Sequence, residues 1–366
     1  MFNTLRQGES FWSVLGMAIG ALASFVTLAF IATTHVKAAE RGVAYVTNQE
    51  GGVAVIDLAT LRQIGVIDVE GKVPRGIGVT QDGRHLIVAN RDGGDVSVID
   101  TITRKVIKHL AVGKNPEFVR VHGKYAYVSF EPSSKGKPPA AAMADDDDGD
   151  SDSDRVPAEI AVIDTGTWQV QRSIQSGPET EGIEFSRDGK LLLVTNEGDN
   201  TVAVYELATG KLVKTIDTAN LGIRPRGIKA SPDGERYVVT LEYGDKFLVI
   251  DKYLEPVKTV ATGKTPYGVA FDRGGNRLFV AASRDNVLQV FDARTYDLIR
   301  NIPVGERCWH FTFTPDDTKI LVVCGRSNDV LVFDAKTYER LARVTDMALP
   351  WGIVTYPKAM GSLDTP

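Results

Sequence analysis

The residues best able to do chemistry recur at two places. The first is a Pro-x-Gly turn or a variant of it: Pro74-Arg75-Gly76, Pro116-Glu117-Phe118, Pro178 to Gly182, Pro225-Arg226-Gly227, Pro266-Tyr267-Gly268, Cys308-Trp309-His310 and Pro350-Trp351-Gly352. It supplies Arg75, Glu117, Glu181, Arg226, Tyr267, Trp309, His310 and Trp351. The second place follows short apolar runs and holds Asn48, Asn90, Arg91, Asn196, Glu197, Glu242, Tyr243, Arg284 and Arg326. Arginine forks pair with carboxylates and other anions, and aromatic rings give flat apolar walls. Converging on one concave face, such groups suit a small polar or anionic ligand. Taken singly, each has a plainer reading. Loop polar residues are mostly solvated, and Asn after a strand often only shapes a turn.

Catalytic patterns are sparse. His310 could be a base, a haem ligand or a metal ligand, yet no second His, Cys or carboxylate stands at ligand spacing. Its neighbours Trp309 and Phe311 equally suit a hydrogen-bonded side chain on an inner strand. His85, His109 and His122 have no evident partners. No GxSxG, HExxH, P-loop or GxGxxG occurs, so the common hydrolase, zinc-protease and nucleotide signatures are missing. Without CxxCH, covalent c-type haem is excluded. The run Asp145 to Asp154 could attract calcium, but the EF-hand pattern fails at Ala144 and Arg155.

The elements that must hold these residues show a period of about forty residues. A β-branched or aromatic pair followed by an acid ends at Asp57, Asp100, Asp164, Glu206, Asp251, Asp292 and Asp334. One longer gap contains the acidic insert. In phase with it, strand ends YVTN, IVAN, YVSF, LVTN, VVTL, FVAA and LVVC close at Asn48, Asn90, Phe130, Asn196, Leu241, Ala282 and Cys324. Turn pairs such as Asp82-Gly83, His122-Gly123 and Asp233-Gly234 precede the last six of these ends. Each unit therefore holds four short strands, A to D, as in Gly76–Thr80, His85–Asn90, Asp95–Asp100 and Lys105–Val112. The predicted fold is all-β: a seven-bladed β-propeller of four-stranded antiparallel blades. The C-terminal strand at Gly352–Tyr356 should join the N-terminal blade beside Val43–Asn48, which removes an unpaired seam. The D-to-A and B-to-C loops then share one face around the channel.

On these marks the chain resembles the YVTN-repeat β-propeller family over nearly all of residues 42 to 357. Trp309-His310, Gly325-Arg326-Ser327-Asn328 and Pro350-Trp351-Gly352 further resemble a periplasmic subgroup associated with PQQ-dependent, quinoprotein catabolism. That likeness implies a place beside quinoprotein oxidation, and a residue pattern with no catalytic group set suits a monomeric, non-catalytic propeller. It would bind a periplasmic quinoprotein partner or a small anionic ligand through Arg75, Glu117, Arg226, Tyr267, Trp309, His310, Arg326 and Trp351. Lactonase-like or d1-haem-like propellers share the architecture and give the alternative of an enzyme or tetrapyrrole-binding protein. Neither the residues nor the likeness names a cofactor.

The 366 residues, 43% hydrophobic and 24% charged with a net charge of −5, have ordinary globular composition. They lack the bulk positive charge of a nucleic-acid surface. Phe11 to Ala32 carries no charge, Arg6 precedes it and Val36-Lys37-Ala38 offers a cleavage site, so residues 1–38 read as a secretory signal. The length also suits an uncleaved membrane anchor. Either way residues 39–366, a single propeller, should be exported to the periplasm, with contact to the membrane only through that segment. Residues 131–157, with Pro138-Pro139 and DDDDGDSDSD, are expected to be a disordered insertion. Cys308 and Cys324 open and close one hairpin; a disulfide or two buried thiols both fit.

Overall fold

The computed structural model describes residues 42–131 and 156–366, apart from Gly71. The proposed signal segment lies outside these residues, as does 132–155 of the acidic insertion. No helix among the described residues is long and apolar enough to cross a membrane.

Seven four-stranded antiparallel sheets form the ring. The innermost A strands are Pro74–Val79, Pro116–His122, Thr180–Phe185, Pro225–Ala230, Pro266–Phe271, Cys308–Phe313 and Pro350–Tyr356, in blades 2 to 7 and then 1. Blade 2 typifies the others, with B at His85–Asn90, C at Asp95–Asp100 and D at Lys105–Ala111. Its A strand begins two residues before the expected Gly76. The B and C strands are buried almost throughout, whereas D is largely exposed. B and C are covered on both faces by neighbouring blades, so both faces must be apolar; D forms the rim.

The recurring acid is a turn device. Asp100 Oδ1 accepts from the backbone N–H groups of Ile102 and Thr103 at 3.0 and 2.7 Å, closing the C-to-D hairpin. Asp57, Asp164, Asp292 and Asp334 repeat the arrangement. Backbone hydrogen bonds hold the carboxyl groups of Asp100, Asp164, Asp292 and Asp334 below the usual range. The A-to-B turns place Gly83, Gly123, Gly189, Gly234, Gly275 and Asp317 at positive φ, which is why glycine dominates there.

Ring closure follows the expected pairing. Val43 faces Tyr356 and Tyr45 faces Val354. Cys308 and Cys324 are direct cross-strand partners and are joined by a disulfide.

Candidate functional site at the channel mouth

The second residue of each A strand is Arg75, Glu117, Glu181, Arg226, Tyr267, Trp309 or Trp351. The ring symmetry therefore brings these seven positions together at the loop-face mouth of the channel. The Thr of the YVTN mark fixes three of them. Thr47 Oγ1 donates to Arg75 O at 2.6 Å, Thr195 to Arg226 O at 2.6 Å and Thr240 to Tyr267 O at 2.7 Å. Each hydroxyl also accepts an N–H from its own blade's A strand. One side chain thus staples adjacent blades at the height of the mouth. The third A-strand position is Gly in five blades, and at Gly76, Gly182, Gly227 and Gly268 an added Cβ would lie within 2.5 Å of the next blade's carbonyl oxygen. Blades 3 and 7 carry Phe118 and His310 there instead.

His310 lies within an aromatic cluster. Its ring centroid is 4.4 Å from Trp351, 5.3 Å from Tyr267 and 6.4 Å from Phe118, all edge-on. Nδ1 is 3.0 Å from Ser362 Oγ, and Nε2 is buried with no hydrogen-bond partner. Burial, then the charges of Arg226, Arg75 and Lys229, holds the imidazole well below its usual pKa. It is therefore neutral.

The arginines are already committed. Arg226 pairs with Glu181 at 3.1 Å and also with Glu197 and Glu242. It donates to Tyr267 Oη at 2.5 Å and lies 4.4 Å over that ring. Arg224 reaches Glu197 at 2.6 Å. Arg75 pairs with Glu117 and stacks 5.4 Å from Trp351. The sequence pattern expected Arg75 and Arg226 to offer their forks to an external anion. Instead, Arg226 is a hub of buried charge, and its replacement would leave several carboxylates unpaired. Burial opposes its charge, but Glu181, Glu197 and Glu242 win and raise its pKa well above normal.

Blades 3 and 4 form an acidic arc. Burial lifts Glu131 well above the carboxylate range, reinforced by Glu181, Glu117, Glu197 and Glu179. Burial likewise lifts Glu181 well above that range, against the pull of Arg226. Glu197 is raised to about 7, because burial outweighs Arg224 and Arg226. Trp309 is half-buried over Gly325, and Arg326 is exposed at the blade 7 loop. Arg224 and Glu131 had not been singled out. Glu131 directly follows a YVTN-type strand end, a position that marks mouth residues in other blades, but the sequence reading counted it as the first residue of the disordered insertion, whereas it is buried at the mouth.

The far end of the channel was illegible in the repeats. Beyond Pro357 the chain turns back beside the blade 7 A strand. Ser362 N donates to Phe311 O at 2.9 Å, and Phe313 N donates to Met360 O at 2.8 Å. Lys229 Nζ donates to Asp364 O at 2.9 Å, and Arg120 donates to Thr365 Oγ1 at 3.0 Å. Arg120 also bonds both oxygens of Glu184. Ala359, Met360, Leu363 and Asp364 are buried. The tail thus packs among residues at the opposite ends of the A strands. Lys229, desolvated there and beside Arg120, is lowered to about 7. Among the described residues no group of His, Cys, Asp and Glu has metal-binding geometry.

A family model described as the cytochrome D1 heme domain matches residues 156–295. Among solved structures, the chain is similar to Kuenenia stuttgartiensis hydrazine synthase at 22% identity and a TM-score of 0.65, covering 81% of this chain and 92% of that one. It is also similar to a functionally unknown protein from Desulfotomaculum acetoxidans DSM 771 at 16% identity and a TM-score of 0.70, covering 86% and 98%. At such identities the likeness is one of fold. No curated protein matches.

Proposed function

We propose that this chain is an exported, non-catalytic propeller that holds a small polar ligand, or a side chain of a partner protein, in its loop-face mouth. Export rests on the N-terminal signal pattern. A role beside a periplasmic quinoprotein rests on the YVTN-type and final-blade motifs. The observation that carries the binding reading is the ring of Arg75, Glu117, Glu181, Arg226, Tyr267, Trp309 and Trp351, one residue per blade at one level. Loops positioned by a rigid scaffold are a common setting for binding. Arg75 and Arg226 are held by carboxylates of the same ring, which favours recognition over turnover. Among the described residues no nucleophile is paired with a base there.

The family match favours a second reading, a tetrapyrrole at the same mouth. Residues 156–295 contain no His, Cys or Met, the side chains that most often hold haem iron. Tyr267, within that segment, is kept a phenol by burial. His310 lies outside the segment and is walled in by Trp351, Tyr267 and Phe118. Among the described residues of the mouth no His, Cys or Met is therefore open as an axial ligand, and a tetrapyrrole there would lean on aromatic and arginine contacts.

The test is Trp309→Ala, at a half-buried position on the mouth. The binding reading expects the variant to fold normally and to lose the small molecule or partner that co-purifies with the wild-type chain. Undiminished retention would move the site elsewhere.

A further inference from the structure

The mouth contains buried acceptors that the fold does not satisfy. Glu131 Oε1, Glu117 Oε2 and Asn115 Oδ1 have no hydrogen-bond partner. Their residues are only 4%, 0% and 8% exposed. Asn115 Nδ2 donates to Glu131 Oε2 at 3.3 Å, so two of the three acceptors lie on one bonded pair. All three belong to blade 3 or to the loop that enters it. A buried acceptor without a donor is costly, and all three call for N–H donors rather than for another anion.

Charge points the same way. Glu131 lies within electrostatic reach of Glu117, Glu179, Glu181 and Glu197, and Arg91 is within reach of both Glu131 and Glu117. Arg75, Arg224 and Arg226 already hold carboxylates of their own. Among the described residues Glu131 alone of these carboxyls forms neither an ion pair nor more than the one hydrogen bond from Asn115, which leaves it open to a cation that enters the mouth. Metal geometry is absent among the described residues, whereas an ammonium or guanidinium group brings several N–H donors on one charge.

We propose that the acidic arc of the mouth receives the cationic head of a small organic amine, an alkylammonium or guanidinium group, with Glu131, Glu117 and Asn115 as its acceptors. This rests on the reading of the mouth as a binding site and names the ligand group that enters it. Binding shifts the arc toward its ionised form. The proton held by Glu131 is released to solvent, and the cation takes its place. Affinity accordingly rises with pH.

Calorimetry on the full mature chain tests this with n-butylammonium and agmatine as probes, and with acetate and calcium as controls. At about pH 8 an amine probe should bind at least about tenfold more tightly than at about pH 6. The heat should vary with buffer ionisation, which reports the released proton. Glu131→Gln should weaken binding by about tenfold or more. Should that variant misfold, Asn115→Ala carries the same expectation. Tighter binding of calcium, or full amine binding by both variants, would overturn the proposal. So would amine silence in a chain whose co-purifying ligand is still lost on Trp309→Ala, although the mouth would then stand as the site. If acetate alone binds and Trp309→Ala abolishes it, the mouth again stands and the cationic assignment falls. Retention of the co-purifying ligand by Trp309→Ala would remove the broader reading itself.

Discussion

His310 Nδ1 and Ser362 Oγ stand 3.0 Å apart, linking the inner strand of blade 7 to a tail that follows the last repeat. Ser362 Oγ also donates to Phe311 O. With its single proton directed there, Nδ1–H is assigned as the donor to Oγ, which leaves the Nε2 lone pair bare. A histidine that looked like a candidate ligand in the sequence is thus engaged by the chain's own tail, while burial and the charges of Arg226, Arg75 and Lys229 hold it neutral.

Removing residues 358–366 should therefore cost stability as well as order. Ala359, Met360 and Leu363 lose their burial, and Lys229 and Arg120 lose acceptors at Asp364 and Thr365. The apolar loss alone is on the order of 5 kcal/mol. Urea unfolding measures it; an unchanged midpoint would mean the tail is not part of the folded core.

The disulfide is directly testable. Denatured, unreduced protein should show no free thiol, because Cys308 and Cys324 are bonded. Replacing both with Ala should lower stability by about 3 kcal/mol through the freed unfolded chain. Two titratable thiols would contradict the pairing.

Thr195 is a staple between blades 4 and 5, donating to Arg226 O at 2.6 Å and accepting from Gly182 N at 2.7 Å. Thr195→Val keeps the shape and strands both backbone groups. The expected loss is roughly 1–3 kcal/mol by denaturant titration. A neutral result would remove the staple's energetic role.

Glu131 sets a pH dependence. Its folded pKa is raised, so above the ordinary carboxylate range the folded chain holds more protons than the unfolded one. Its contribution to stability is complete below the unfolded pKa and is lost as pH rises through the folded value. Glu131→Gln stays neutral. Its melting temperature should therefore match the wild type at about pH 4 and exceed it by a few degrees at about pH 8. The protonation of His310 is common to both chains and cancels in the difference. A gap that shrinks as pH rises would contradict the assignment.

Much of this architecture was legible because a propeller repeats its local chemistry. Asp100 and its counterparts announce C-to-D turns, Gly83 and its counterparts announce A-to-B turns, and Arg75, Glu117 and Arg226 mark one level of the channel. Spacing could place those residues but could not pair them. The commitment of Arg226 to Glu181, Glu197 and Glu242 depends on which blades are neighbours and on how deep the side chains lie. Ser362 and Asp364 follow the last repeat and carry no periodic mark, so their place beside His310 and Lys229 had no signal in the sequence.

The most direct test of the central claim is native mass spectrometry, with an absorption spectrum, on protein isolated from its own cells. The account predicts a small polar molecule or partner bound to the wild-type chain, absent from Trp309→Ala, with no Soret band. A tetrapyrrole mass with a Soret band, or the same bound species on both chains, would contradict it.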